Sequence, residues 1–300
     1  MPRFEPFRAL RYTARELDDL VAPPYDVLSD ADVDALAGRH EHNIVRVDVP
    51  REREGSDRYE RAATRLRGWV DEGVVALDAE PSFTIYRMHF RDEAGTERHI
   101  AGVIGALEVT DEGAGGVLPH ERTTPKASTD RLDLTRATSA NLSPVWGLAL
   151  SPGLTSLLGQ PGEPVGSVSV EGVEHSVERV TDAERLRAIA AVAGGDDVLI
   201  ADGHHRYGVA RQYRDEVRAA TGRDDTDAEE TLAFVSELIA DQLYVEPIHR
   251  LYTGVSEPDL RDALEQRFDL VAVGAADSGF LDAVIAEPRL CLVGGDGTAW

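Results

Sequence analysis

One segment, 198–222, leaves few choices of fold. Its apolar start, Val-Leu-Ile-Ala, ends at Asp202 and passes through Gly203 into a helical pattern that stops at a second glycine. A short apolar run of this kind is typical of a buried strand, and a buried strand that leads into a helix is the repeating unit of α/β proteins. We therefore predict a mixed α/β fold with a strand at 198–201 and a helix at 204–221.

The rest of the chain repeats both kinds of pattern. Helical periodicity, often with a capping residue at its start, predicts helices at 29–36, 56–73, 181–193, 228–238 and 257–268. Alternating, β-branched or aromatic runs predict extended segments at 43–49, 83–90, 99–109, 243–251 and 289–293, of which the second and third form a hairpin. Residues 118–148 are too polar for core and predict a long functional loop that contains a helix.

The order of these elements predicts two parts within the fold. Residues 1–112 form an N-terminal α/β part with the hairpin, and 113–300 form a second α/β part that carries the unusual motifs. One composite domain is the alternative, because no long linker separates the parts. The last turn is followed by a return strand that has barely started at Trp300, so we expect the natural chain to continue.

The charge of the chain restricts the partners that it can bind. The chain has 55 acidic and 31 basic residues, a formal net charge of −24, and Lys126 is its only lysine. A surface of this kind repels polyanions, so nucleic acid is an unlikely partner. Excess carboxylate is tolerated where salt screens self-repulsion, which predicts a halophilic host.

The cellular compartment follows from what the sequence lacks. Cys291 is the only cysteine, so no internal disulfide can form. No apolar run reaches the roughly 18 to 20 residues that a membrane span needs. We expect a cytoplasmic protein with no membrane partner, and a homo-oligomer is compatible with the sequence.

The turn after the strand at 198–201 has the chemistry of a phosphate site. A glycine allows the backbone to approach a ligand closely, and the helix that follows offers free N–H groups and a positive dipole end. His204, His205 and Arg206 add donors, and arginine makes forked contacts with phosphate oxygens. The alternative is structural, with Asp202 as a helix cap and two solvated histidines.

A second cluster lies within the long loop. It contains His120, Glu121, Lys126, Arg131 and Asn141. A glutamate beside phosphates can bind magnesium or accept a proton from an attacking hydroxyl, while the cations neutralise developing charge. We predict Glu121 as the base, with His120 beside it, and the other three as phosphate ligands. The alternative is a solvated loop with weak surface ion pairs.

A third element and a metal complete the predicted site. His249 and Arg250 end an extended run and could line the same cleft. None of the histidines has the spacing of a zinc motif, so magnesium held by Asp202 or Glu121 is the predicted metal. A Walker loop, a Rossmann glycine fingerprint and a Gly-x-Ser-x-Gly elbow are all absent from the sequence.

Four blocks of the sequence, 21–27, 120–144, 200–210 and 247–250, resemble the family of unknown function numbered ten-fifteen, whose members often carry the label ParB-like. The Asp-Gly-His-His-Arg block is also similar to the phosphate-binding motif of the ParB and sulfiredoxin superfamily, which includes free serine kinases. This resemblance implies a ParB/sulfiredoxin-like nucleotide-binding core within a larger mixed-sheet protein. It implies that Gly203, His204, His205 and Arg206 hold phosphates, with Asp202 near the metal or the acceptor.

These observations together predict a magnesium-dependent small-molecule kinase. Its donor is ATP, ADP or pyrophosphate, and its acceptor is a hydroxyl compound, with free serine implied by the kinase relatives. A non-catalytic ParB-like nucleotide-binding regulator and a nucleotide phosphohydrolase are the alternatives. Transfer to an acceptor separates the kinase from both.

Overall fold

The computed structural model describes residues 1–51, 55–92, 95–121, 125–244, 251–277, 279–280, 284 and 290–300, without the side chains of 125–129. The chain forms two compact units, Met1–Tyr244 and Val245–Trp300. No described helix combines the length and the apolar character that crossing a lipid bilayer would require.

The elements of the first unit follow a mixed order of strands and helices. The strands are β1 Phe4–Glu5, β2 Leu10–Tyr12, β3 Val75–Leu77, β4 Phe83–Arg91, β5 Glu97–Glu108, β6 Val117–Leu118, β7 Val145–Ala149, β8 Glu163–Val170, β9 Val173–Val180, β10 Val198–Asp202 and β11 Glu230–Glu237. The helices are α1 Asp30–Arg39, α2 Val45–Asp48, α3 Arg58–Asp71, α4 Pro125–Thr138, α5 Leu154–Leu158, α6 Ala183–Ala193 and α7 His204–Thr221.

Nine of these strands form one mixed sheet. Eight follow the order β6-β10-β7-β11-β5-β4-β9-β8, and β1 pairs with β5 beyond the end of β4. The β6–β10 and β7–β11 pairs are parallel, and the other pairs are antiparallel. The predicted mixed α/β fold is confirmed. The predicted parts 1–112 and 113–300 both contribute strands to this sheet.

The main core lies between this sheet and helices α5, α6 and α7. Its largest fully buried side chains include Phe4, Phe83 and Ile189. The rings of Phe4 and Phe83 stack with centroids 5.2 Å apart. A Cβ at Gly105 would lie 2.5 Å from one ring and 2.7 Å from the other, so this position of β5 has room only for glycine.

Two smaller apolar clusters support the N-terminal helices. Trp69 of α3 packs with Val47 and Val75, and Val33 and Leu36 of α1 pack with another buried valine of α2. Strands β2 and β3 form a separate two-stranded sheet. These contacts position α2, which carries the buried Asp48.

Most elements predicted from local signals are confirmed. Ser29 caps α1 through its side chain and forms a capping box with Asp32. The hairpin of β4 and β5 and the helices α3 and α7 occur at the predicted positions, and Gly222 ends α7 with φ +69°. The cap of α6 differs: Asp182, rather than Thr181, accepts a hydrogen bond from the N–H of Arg185.

The predicted strand at 43–49 is wrong, because its centre is the helix α2. The side chain of Asn43 favours a turn at this point. Its amide donates to the carbonyls of Asp19 and Val21, and its Oδ1 accepts the N–H of Val45, two residues on, at 3.0 Å. Val45 and Val47 are fully buried and Val49 is partly buried, and the first two pack from a helical turn.

The predicted helix at 228–238 is also wrong, because Glu230–Glu237 is strand β11. It lies between β5 and β7 in the middle of the sheet and is buried along almost its whole length. A strand that is buried on both faces has a largely apolar sequence without alternation. The periodicity of such a sequence cannot distinguish the strand from a buried helix.

The second unit contains α8 Glu257–Glu265 and a pair of short strands, β12 Gly274–Ala275 and β13 Thr298–Ala299. The predicted helix at 257–268 is confirmed. The predicted terminal hairpin is present as well, since Leu292 and Trp300 exchange backbone hydrogen bonds across the turn at 294–297. Of the predicted extended segment at 243–251, residues 245–250 lie outside the described part of the chain.

Candidate functional site

Gly203 connects β10 to α7 in a conformation that only glycine adopts easily. Its φ is +91°, and a Cβ there would lie 3.1 Å from the guanidinium carbon of Arg206 and 3.3 Å from the Cα of Val145. The first helical hydrogen bond runs from the N–H of Tyr207 to the carbonyl of Gly203. Within the described part of the chain no side chain caps this helix end, so its first-turn N–H groups are free to donate hydrogen bonds to an anion.

Arg206 lies beside this turn as the centre of a small polar network. Its guanidinium donates to the carbonyl of Pro144 and to the carboxylate of Asp202. The arginine side chain is 15% exposed, whereas that of Asp202 is 62% exposed. The predicted site residues Asp202 and Arg206 therefore form an ion pair in which the carboxylate of Asp202 stays exposed to solvent.

His204 points into a different environment. It is 8% exposed, its Nε2 accepts the N–H of His120 at 3.2 Å, and the two rings meet edge to face at 4.4 Å. An oxygen of Glu121 lies 3.9 Å from its Nδ1. Burial, with a smaller effect of His120, lowers the pKa of His204, so its imidazole is neutral at pH 7.

A cavity of about 350 Å³ opens along the side of α7. Five separate segments of the first unit reach it, although they are spread over most of that unit. The polar side chains that line it are Tyr25, Asp48, Arg131, Thr135, Ser139, Asn141, Ser143, Arg206, Tyr213, Thr226, Asp227, Glu230 and Thr231. Several of the predicted site residues are not among the lining residues, namely His120, Glu121, Asp202, Gly203, His204 and His205.

Arg131 of α4 is the most enclosed cation on the cavity wall. It is 9% exposed and donates to Asp48 at 3.0 Å and to Asp130 at 3.0 and 3.2 Å. Its guanidinium carbon lies 4.1 Å above the ring of Tyr25. Burial raises the pKa of Asp48 even though Arg131 opposes the shift. The predicted phosphate ligand Arg131 therefore lies at the cavity, but with its charge already paired.

Uncharged polar groups also line the cavity. Asn141 accepts a hydrogen bond from the hydroxyl of Thr231 at 3.1 Å. The hydroxyl of Thr226 is buried and has no hydrogen-bond partner within the described part of the chain. The exposed amide of Asn141 can hydrogen-bond a ligand from the cavity, whereas the Thr226 oxygen is enclosed and offers a ligand no surface.

Carboxylates outnumber cations around the cavity. Among the residues that the structure describes, Asp48, Asp227 and Glu230 line it with two arginines, and those arginines also pair with Asp130 and Asp202. Burial raises the pKa of Glu230. The site is not the strongly cationic socket that the sequence suggests, and an anionic ligand would need a cation of its own.

Three predicted ligands cannot be located. Lys126 belongs to α4, but its side chain lies outside the described residues. His249 and Arg250 fall in 245–250, which is also outside them. Their predicted roles stay predictions.

Sequence reasoning gave no role to most of the polar residues that line the cavity, among them Tyr25, Asp48 and Tyr213. Tyr25 lies in a block that carries the family resemblance, yet it had no assigned role, and Asp48 is hidden between valines in a wrongly predicted strand. Tyr213 of α7 also forms part of the cavity wall. An acid between buried valines, followed by Val49 and a proline, is the one signal that could have revealed Asp48.

Comparison with known proteins gives one match. A family model described as "Protein of unknown function (DUF1015)" matches residues 4–297. No protein with curated annotation and no solved structure matches the chain.

Proposed function

The chain belongs to the DUF1015 family, whose description names no activity, and we propose from the cavity that it is a magnesium-dependent small-molecule kinase. Its donor is ATP, ADP or pyrophosphate, and its acceptor is a small hydroxyl compound, with free serine as the first to test. A cytoplasmic location is part of the same proposal.

The convergence of separate sequence blocks on one cavity carries the proposal. Tyr25, Arg131, Asn141 and Arg206 come from three of the four blocks that resemble the family, and all of them line the same space. Its volume of about 350 Å³ falls within the roughly 300 to 1,000 Å³ typical of small-molecule sites.

The donor phosphates fit the arginine end of the cavity. Arg206 and Arg131 supply fixed guanidinium groups, and the first turn of α7 supplies backbone N–H donors beside Arg206. Because both arginines are already paired with carboxylates, a free polyphosphate would meet repulsion there.

Magnesium resolves this conflict of charge. Carboxylate oxygens are ligands that Mg²⁺ prefers, and Asp202 offers such oxygens beside Arg206 at the edge of the cavity. The bound ion would neutralise the charge of the donor phosphates. Glu121, the other predicted metal ligand, lies with His204 and is not part of the cavity wall.

The acceptor hydroxyl fits the part of the cavity lining that includes Asn141. The exposed amide of Asn141 can hydrogen-bond a small polar molecule there. We now assign the base role to Asp48, because burial raises its pKa and makes it a stronger proton acceptor. Asp48 would take the proton of the acceptor hydroxyl while the hydroxyl oxygen bonds to the phosphoryl group and the donor's bridging oxygen leaves.

Binding measurements test the first half of the proposal. Calorimetric titration in high salt should show binding of ATP, ADP or pyrophosphate with Mg²⁺ present and much weaker binding after chelation. Arg206→Ala should weaken binding at least about tenfold, because a charge-assisted pair of hydrogen bonds is lost. Arg211→Ala is the matched control: it lies on the same helix but pairs with Glu112 outside the cavity.

Product analysis tests the second half. Phosphorus NMR of reactions with a panel of hydroxyl compounds, free serine included, should show a new phosphate ester that Asp48→Asn abolishes while donor binding persists. Release of inorganic phosphate without an ester would instead identify a phosphohydrolase. Absence of binding to every donor would contradict the proposal as a whole.

A binding protein without turnover is the second candidate. This candidate is favoured because the carboxylate of Asp48, the proposed base, already accepts a hydrogen bond from Arg131 at 3.0 Å. A base held in this way must exchange partners before it can accept a proton. Nucleotide binding with a change of assembly state and no product would support this candidate.

A further inference from the structure

A row of metal-binding side chains crosses three strands of the sheet outside the cavity. His89 of β4 is paired directly with His99 of β5 on one side and with Glu174 of β9 on the other. Residues that are directly opposite one another in antiparallel strands project from the same face. Glu97 lies two residues before His99 and therefore on that face as well.

The side chains in this row are close enough to share one ion. The rings of His89 and His99 stack at 4.2 Å with an angle of 12° between them. The Nδ1 of His89 lies 3.4 Å from a carboxylate oxygen of Glu174. One ligand atom each from His89, Glu97 and His99 lie within 4.8 Å of one another, so modest side-chain rotations would bring them around a metal.

We propose that His89, His99 and Glu97 bind a zinc-class divalent ion, with Glu174 as the fourth ligand. Two imidazoles and a carboxylate form a ligand set typical of zinc, whereas magnesium prefers a shell of oxygens alone. The strands hold both histidines in register, so most of the site is formed before the ion arrives. This site is separate from the magnesium of the proposed kinase and does not depend on it.

One ion pair competes with the metal. The Nη2 of Arg91 lies 2.6 Å from the Oε1 of Glu97, and both side chains are more than half exposed. Exposed pairs of this kind are weak, so a divalent ion bound by two imidazoles should displace Arg91. Arg91→Ala is therefore expected to leave zinc binding unchanged or to strengthen it.

Titration with metal ions tests the proposal directly. Chelator-treated protein should bind one Zn²⁺ per chain at this site. Loss of a second-shell partner typically weakens metal sites about 10- to 100-fold, so His89→Ala or His99→Ala, which removes a direct ligand, should weaken binding at least about tenfold. His40→Ala is the control, because it removes an exposed histidine that belongs to no metal cluster among the described residues.

Two further measurements guard against misfolded variants and other sites. Co²⁺ should produce the visible absorption of a four-coordinate site in the wild-type protein and not in His99→Gln. Zn²⁺ should raise the melting temperature of the wild type and of His40→Ala, but not of His89→Ala. Equal zinc affinity in wild type and His89→Ala would overturn the proposal, and unchanged affinity in Glu174→Gln would remove Glu174 from the site. Unchanged nucleotide binding in these variants would separate this result from the proposed kinase.

Discussion

At the scale of single residues, Gly203 is the position on which the site depends most directly. Gly203→Ala should destabilise the protein by about 1 to 2 kcal/mol, because the left-handed conformation disfavours a side chain and the added methyl meets Arg206 and Val145. Urea unfolding followed by circular dichroism measures this loss. The added methyl should also displace Arg206 and weaken nucleotide binding.

Gly208 provides the matched control on the same helix. It is helical, and a Cβ there would meet no atom within 4 Å. Gly208→Ala should therefore stabilise the protein by about 0.5 to 1 kcal/mol. Equal effects of the two substitutions would show that the turn at Gly203 is not under the constraint described above.

His204 should make stability depend on pH. Its pKa in the folded protein lies below the ordinary value of about 6.5, so the unfolded chain binds more protons when the solution becomes acidic. The stability that depends on the neutral ring is complete above about pH 6.5. It is lost as the pH falls through that value towards the lower pKa of the folded state.

Unfolding in urea at pH 7.5 and at pH 5.5 measures this dependence. His204→Gln removes the titrating group, so its loss of stability between the two pH values should be smaller than that of the wild type. His40→Gln, at an exposed position, should keep the wild-type dependence. A wild-type pH dependence in His204→Gln would contradict a buried neutral imidazole.

The site could be predicted from sequence only in part. The turn at Gly203 was found because glycine and a helix start are local signals, and Arg131 and Arg206 do reach the cavity. Asp48 was not found, because nothing in its neighbours shows that α2 faces α4. The neutral state of His204 depends mainly on its burial, to which His120, 84 positions away, adds a smaller effect.

At the scale of elements, Glu237 joins the end of β11 to the start of α5. Its two carboxylate oxygens accept the backbone N–H groups of Gly153 and Thr155 at 2.8 and 2.7 Å. Burial alone would raise the pKa of Glu237, but these hydrogen bonds lower it overall. The carboxylate thus caps a helix from a neighbouring strand.

Glu237→Gln should destabilise the protein by about 1 to 3 kcal/mol, because an amide group offers an N–H where the second backbone donor needs an acceptor. Glu163→Gln is the control, since that glutamate is exposed and pairs only with Arg179 among the described contacts; it should cost at most about 1 kcal/mol. Urea unfolding distinguishes the two. Similar losses would mean that the cap from Glu237 contributes little.

Elements with their own start signals were predictable, and elements defined by distant partners were not. Ser29 and Asp182 cap helices within three residues, so the sequence contains the whole signal. Strand β11 has an apolar run that is equally compatible with a helix, and only pairing with β5 and β7 decides between them. In α2, the side chain of Asn43 overrides the alternation of valines.

At the scale of the whole molecule, the net charge of −24 should make stability rise with salt. Screening shortens the range of repulsion from about 10 Å at 0.1 M to about 3 Å at 1 M. Exposed ion pairs weaken over the same range, but each contributes only about 0 to 1 kcal/mol. The urea midpoint should therefore increase between 0.1 and 2 M KCl. A constant or falling midpoint would contradict an adaptation to high salt.

The position of β11 in the sheet has a consequence for biosynthesis. Strand β5 is completed at Glu108, but one of its two long edges is covered only by β11, which ends at Glu237, 129 residues later. At about 5 to 20 residues per second, a ribosome needs on the order of ten seconds to supply that partner. Throughout this interval the nascent chain carries an open edge able to pair with other chains, so ribosome-associated chaperones would have their greatest effect before residue 237 emerges.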